Sequence, residues 1–112
     1  MTVNRRRGEV EAVLDGQPRA LCLTLGALAE LENAFGADDL MALASRFEAG
    51  RLSARDCIAI VAAGLRGAGS DVGEAEVAAM RIDGAATGWA ELVAELLSTT
   101  FGSTAEADPT DP

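Results

Sequence analysis

The sequence predicts an α+β domain: an N-terminal β-hairpin followed by a bundle of four to five short α-helices. Three observations carry that prediction. Val10, Ala12 and Leu14 alternate with polar neighbours, and Leu21, Leu23 and Leu25 recur every second residue, which is the period of a strand. Between the two runs stands Asp15-Gly16, a two-residue turn in which glycine accepts positive φ cheaply. The period then changes, and Leu28, Leu31 and Phe35 recur at three and four residues, as on one face of a helix.

The hairpin has two candidate registers. A two-residue turn at Asp15-Gly16 sets Leu14 opposite Gln17 and Val10 opposite Leu21. A four-residue loop, Asp15 to Pro18, pairs Val10 with Leu23. Both put Val10, Ala12, Leu21 and Leu23 on one face, so the buried face does not depend on the choice. Pro18 lacks an N–H and belongs near the turn or on an edge. The first helix runs from Leu25 or Gly26 to Ala34 or Phe35, with Thr24 as N-cap and Gly36 as its stop. Leu28, Leu31 and Phe35 point inward, while Glu30, Glu32 and Asn33 face water.

A second helix is expected over 40–49, capped by Asp38 or Asp39, with Leu40, Leu43, Ala44 and Phe47 as its stripe. Ser53 with Asp56 resembles a capping box and starts a third helix, from Ala54 to Leu65 or Arg66. Its apolar side carries Cys57, Ile58, Val61 and Leu65, broadened by Ile60. Gly67-Ala68-Gly69-Ser70 reads as a flexible break. A short helix from Glu74 to Arg81 carries Val77 and Met80, and Asp83-Gly84 ends it. Ala85 to Gly88 reads as a further turn, and the last helix runs from Trp89 to Thr100. A two-stranded hairpin is marginal alone, so it packs on the helices or pairs its edge with another copy. Residues 1–7 read as a flexible leader, 8–101 as one domain and 102–112 as a disordered acidic tail, too poor in apolar surface to offset its ordering entropy.

Composition narrows the function. The 112 residues carry a net charge of −9, and all nine basic residues are arginine. Phosphate binding needs a clustered basic face, so this balance argues against nucleic acid, and Arg5-Arg6-Arg7 reads as a solvated leader. No run approaches the ~18 apolar residues of a membrane span, and no signal-peptide core opens the chain. A bacterial cytoplasmic location is expected. The chain has no histidine, which removes Ser-His-Asp and Cys-His nucleophile pairs and imidazole ligands. It has no lysine, hence no Schiff base and no P-loop. Cys22 and Cys57 lack Cys-x-x-Cys spacing and read as reduced thiols in the core. The glycines from Gly64 to Gly69 follow a helix where a phosphate loop would follow a strand. Glu91 and Glu95 share a helix face that reads as solvated. No enzyme, cofactor or metal site is expected.

Interaction chemistry remains. Leu92, Val93 and Leu96 on the last helix read as core. The candidate partner contacts are Trp89, Leu97 and Phe101 on that helix and Cys22 at the hairpin edge.

One family carries a matching ordered set of segments. They are Arg7-Gly8-Glu9, Leu23-Thr24-Leu25-Gly26-Ala27-Leu28-Ala29-Glu30-Leu31-Glu32, Ala34-Phe35-Gly36, Asp39-Leu40, Gly50-Arg51-Leu52-Ser53, Gly64-Leu65-Arg66-Gly67 and Glu76-Val77. From Arg7 to about Phe101 the chain resembles a family encoded in the tail gene clusters of bacterial gene transfer agents and related long-tailed phages. The family is described as a tail tube or tail assembly protein. The resemblance implies a tail assembly chaperone that binds apolar helical segments of the tape measure protein, with other tail proteins and further copies of itself as partners. It is expected in the cytoplasm, transiently on assembling tails. The alternatives are a structural component associated with the tail tube and a host regulatory module that binds a peptide. One predicted hairpin is little β-structure for a tube ring, which favours the chaperone. The resemblance supplies no catalytic or contact residues.

Overall fold

The computed structural model describes residues 8–36, 42, 45, 49, 50 and 53–101. Two antiparallel strands, β1 (Glu9–Leu14) and β2 (Gln17–Cys22), form a hairpin. Four helices follow among the described residues: α1 (Leu25–Phe35), α2 (Ala54–Gly67), α3 (Glu74–Ala78) and α4 (Ala85–Phe101). This is the α+β class that the residue pattern predicts.

The short-turn register is the one adopted: Leu14 pairs with Gln17 and Val10 with Leu21. Asp15 at φ 54 and Gly16 at φ 77 give positive φ at both central positions, a type I′ turn whose twist matches the strands. The turn is also held from outside, because Asp15 N–H donates to the Arg81 carbonyl at 2.9 Å. In return, Arg81 N–H donates to Asp15 Oδ1 at 2.9 Å. Leu14 forms an isolated bridge with Ile82, so the 81–82 segment borders β1 at its turn end.

The inner face of the hairpin supplies Val10, Leu14 and Leu21, all fully buried. Arg19 lies opposite Ala12 on that same face, and its Nε is buried without a hydrogen bond. An orphaned donor of this kind costs about 1–3 kcal/mol. Arg19→Met keeps an apolar stem and removes the donor. We expect it to raise unfolding stability by about 1 kcal/mol, read as a higher urea midpoint; an unchanged or lower midpoint means that the guanidinium contributes more than it costs.

Helix α1 begins and ends where the sequence indicates. Thr24 Oγ1 accepts from Ala27 N–H at 3.1 Å, and Gly36 closes the helix at φ 70. Leu28 and Leu31 are buried and Phe35 packs against the core. Of the helix expected over 40–49, Ala42 and Ser45 are helical, and the rest of that expectation lies outside the described residues.

Helix α2 is the centre of the domain, packing against β2, α1, α3 and α4. Its capping box is formed: Asp56 N–H donates to Ser53 Oγ at 3.1 Å and Ser53 N–H to Asp56 Oδ2 at 3.0 Å. Ser53→Ala is expected to cost about 1 kcal/mol, seen as a lower melting temperature; no change would assign the start of α2 to its packing alone. Every residue from Ala59 to Leu65 is buried. The one-sided stripe expected for this helix is therefore too narrow. A helix with neighbours on all sides is buried all round, and the small residues Ala59, Ala62, Ala63 and Gly64 let those neighbours approach.

Two boundaries differ from expectation, and one reason serves both. Helix α2 continues to Gly67, and α4 starts at Ala85, ahead of Trp89. Gly67 and Gly88, read as breakers, lie inside helices at places where a backbone carbonyl occupies the space of a side chain, so only glycine fits there. A Cβ on Gly67 would sit 2.0 Å from the Cys22 carbonyl oxygen, and one on Gly88 would sit 2.0 Å from that of Asp83. Helix α3 in turn is shorter than expected, ending at Ala78, because Arg81 is drawn into the turn contact with Asp15.

Candidate functional site

Three helices leave a cavity of about 330 Å³ between them. Each contributes one face at helical spacing: Ala54, Cys57, Ile58 and Val61 from α2, Val77 and Ala78 from α3, and Ala86, Trp89 and Ala90 from α4. Steps of three and four bring such residues onto one side of a helix. Val61 and Val77 are buried at the floor, while Cys57, Ile58 and Trp89 are half-buried along the wall. Ala54, Ala78, Ala86 and Ala90 are exposed and form the rim. Small rim residues keep the mouth open, and Trp89 supplies the largest apolar surface.

The lining offers carbon, one indole N–H and one thiol. Burial, and secondarily the adjacent Asp56 carboxylate, push the Cys57 thiol above its ordinary value of 9.0. The thiol form is therefore favoured, and Cys57 is a poor nucleophile at neutral pH. The unfolded chain ionises first as pH rises, so stability is full below the ordinary value and falls as pH climbs from there through the folded value. We expect alkaline destabilisation above pH 9.0 that Cys57→Ala removes; an identical pH profile in the variant overturns that assignment.

A second, shallower groove of about 220 Å³ runs between β1 and α4. Glu11, Asp83, Glu91 and Glu95 border it, beside Ile82 and Val13. Its walls carry negative charge, while those of the first cavity are apolar. Among the described residues no group of three His, Cys, Asp or Glu is placed to hold a metal ion. No described helix is long and apolar enough to cross a membrane.

The four candidate contacts are dispersed. Trp89 stands in the apolar cavity. Phe101 packs half-buried against the core at the far end of α4, about 18 Å along the helix axis from Trp89. Cys22 is half-buried at the end of β2, where its carbonyl faces Gly67. Leu97 is corrected: at 3% exposure it belongs to the core, because α4 turns Leu92, Val93, Leu96 and Leu97 together toward α2 and the hairpin, and a side chain so enclosed offers a partner no surface. The sequence reading missed Ala54, Ile58, Ala86 and Ala90 as site residues. The signal available for them was the run of small and apolar residues at three and four spacing on two helices, which equally fits a closed core.

The fold and the cavity define a small α+β domain with an open apolar hollow between three of its helices. A family model described as phage tail tube protein, GTA-gp10, matches residues 7–103. The chain belongs to this family of gene transfer agent and phage tail proteins. We found no curated protein and no solved structure that matches the chain.

Proposed function

We propose that this chain is a structural component of the tail of a gene transfer agent or related phage-like particle, seated with the tail tube. The observation that carries the reading is the match of residues 7–103 to a tail tube family, a span that takes in every described element. The chain acts by binding and not by catalysis. Its apolar cavity selects apolar side chains of other tail proteins, and its net charge of −9 keeps unassembled copies apart and soluble. Its place of action is the bacterial cytoplasm, where tails are built.

A second reading is favoured by the sheet. The two strands among the described residues are fewer than a ring of paired sheets uses, which supports an assembly chaperone that covers apolar helical segments of the tape measure protein. Quantitative mass spectrometry of purified particles separates the two. Stoichiometric copies in a fixed ratio to the other tail proteins support the structural role. Absence from particles, with co-purification and a higher soluble yield of the tape measure protein on co-expression, supports the chaperone. Normal tails after deletion of the gene overturn both and favour a host regulatory module that binds a peptide.

A further inference from the structure

We propose that the N-terminal leader, through Arg5-Arg6-Arg7, occupies the acidic groove between β1 and α4 of its own chain. That groove, of about 220 Å³, has Glu11 and Val13 of β1 on one wall and Glu91 and Glu95 of α4 on the other, with Asp83 toward the hairpin turn. No basic residue lines it. Glu91 and Glu95 stand one helical turn apart on one side of α4, where like charges raise each other's energy. Glu11 and Asp83 add to that field from the strand side. A cation seated among these carboxylates relieves the repulsion. The groove also runs along the edge of β1 that faces away from β2, and an open strand edge invites pairing with other chains unless something covers it.

Charge, attachment and reach name the leader as the occupant. Three of the nine basic residues of a chain with net charge −9 are consecutive at Arg5, Arg6 and Arg7, which composition alone reads as solvated. The leader joins the domain at Gly8, directly ahead of β1. Gly8 has φ 80, a left-handed conformation that does not continue the extended line of the strand. Glu11 lies three residues along β1 from Gly8, about 10 Å. The three arginines span at most about 10 Å from the same point, so a leader turned back at Gly8 covers that distance. Because the leader is tethered, its local concentration at the groove exceeds that of any free basic segment. The family match begins at Arg7, so residues 1–6 lie outside the shared span, and the inference stands apart from the tail-component reading.

The test is limited trypsin proteolysis of the full chain, with mass spectrometry following cleavage after Arg5, Arg6 and Arg7. Each rate is divided by that of a free synthetic peptide of residues 1–12 in the same buffer. Cleavage after Arg19 and Arg66 in the same samples reports the integrity of the fold. Glu91→Gln with Glu95→Gln removes two carboxylates from the groove. Asp71→Asn with Glu74→Gln removes two exposed carboxylates elsewhere, as a control for net charge. We expect the wild-type leader to be cut about 10-fold more slowly than that of the groove variant, and the control variant to match the wild type. Salt at about 0.5 M screens such pairs and should bring the wild type to the rate of the groove variant. The salt series needs no substitution, so it decides the matter even where the groove variant loosens the fold. A wild-type leader cut as fast as the free peptide at low salt overturns the inference and leaves the groove to a basic segment of another protein. Equal acceleration in the control variant assigns the effect to net charge and overturns it as well. Protection that grows with chain concentration places the leader in the groove of a second copy, with the same consequence. Particle composition tests the tail-component reading separately, and neither result bears on the other.

Discussion

Replacing Gly67 with alanine is expected to destabilise the fold by about 3 kcal/mol, the upper end for overpacking a close contact. Alanine favours helix over glycine by about 1 kcal/mol, so propensity alone predicts the opposite sign. Contact geometry decides between them. The added Cβ would stand 2.0 Å from the Cys22 carbonyl oxygen and 3.2 Å from its carbonyl carbon, both of them backbone atoms. No rotamer change relieves such a clash. Either β2 moves away from α2, opening the packing around Leu21, or the last turn of α2 unwinds and Arg66 shifts. Arg66 there donates from Nη1 to the Val72 carbonyl at 3.0 Å and from Nη2 to Glu30 at 2.6 Å. Urea unfolding followed by circular dichroism reads the effect as a lowered midpoint with an unchanged slope. A midpoint equal to or above that of the wild type would show that the approach of helix to strand is not close. Gly64→Ala provides the comparison. Its Cβ would meet the side-chain atoms Leu96 Cδ2 at 3.0 Å and Leu21 Cβ at 3.3 Å, and Leu96 can turn aside, so a smaller loss is expected.

Leu96→Ala should lower stability by a comparable amount, about 3 kcal/mol. Leu96 is fully buried on the inner face of α4, and it fills the space that Gly64 leaves open on α2. Removing its isopropyl group loses the transfer free energy of the buried carbons and leaves a void. Gly64 has no side chain with which to fill it, so the site collapses poorly and the cost stays near the middle of the range for such substitutions. The measurement is again chemical unfolding, joined by near-ultraviolet circular dichroism of the single Trp89 on the same helix. A change below about 1 kcal/mol would mean that α4 resettles against α2 more freely than its packing suggests. Small domains hold only about 5–15 kcal/mol in total. Gly67→Ala and Leu96→Ala together should therefore bring this one close to its unfolding threshold. Leu21 lies near both sites, and the two losses are expected to couple.

Local signals explain the parts of the fold that were legible. The I′ turn needs two residues tolerant of positive φ, and Asp15-Gly16 supplies them without help from elsewhere, so the hairpin register follows. Thr24, Gly36 and the Ser53–Asp56 pair act on backbone groups within three or four residues, which made the limits of α1 and the start of α2 readable. Glycine was misread where its reason is a close backbone approach, from Cys22 at Gly67 and from the preceding turn at Gly88. Gly67 and Gly88 have the same composition signal as a linker, yet each lies within a helix, where a backbone carbonyl passes too close for a side chain. At Gly67 no local pattern distinguishes a glycine that breaks a helix from one that lets a strand approach it.

The candidate site divides in the same way. Trp89 stood out through its size and its place on an apolar helix, and it does line the cavity. Leu97 stood out equally and is core. The difference is one of rotation about α4, which depends on where α2 and the hairpin lie. Cys57, Ile58 and Val61 form a stripe that reads as core, but only its C-terminal continuation toward Leu65 is closed over. At its N-terminal half, the stripe faces an open hollow bordered by α3 and α4.

By itself, then, the sequence determined the α+β class, the hairpin and its buried face, the caps that bound its first helices, and the family to which the chain belongs. These follow from periodicity, from turn and cap chemistry acting over a few residues, and from an ordered set of segments along the chain. Tertiary structure alone decided that α2 is buried all round from Ala59 to Leu65, that Gly67 marks the close approach of β2, and that an apolar hollow opens at one end of α2 while Leu25 projects at the other. Those outcomes depend on distances between elements far apart in the chain, and a periodic pattern states which face of a helix is apolar without stating what, if anything, covers it.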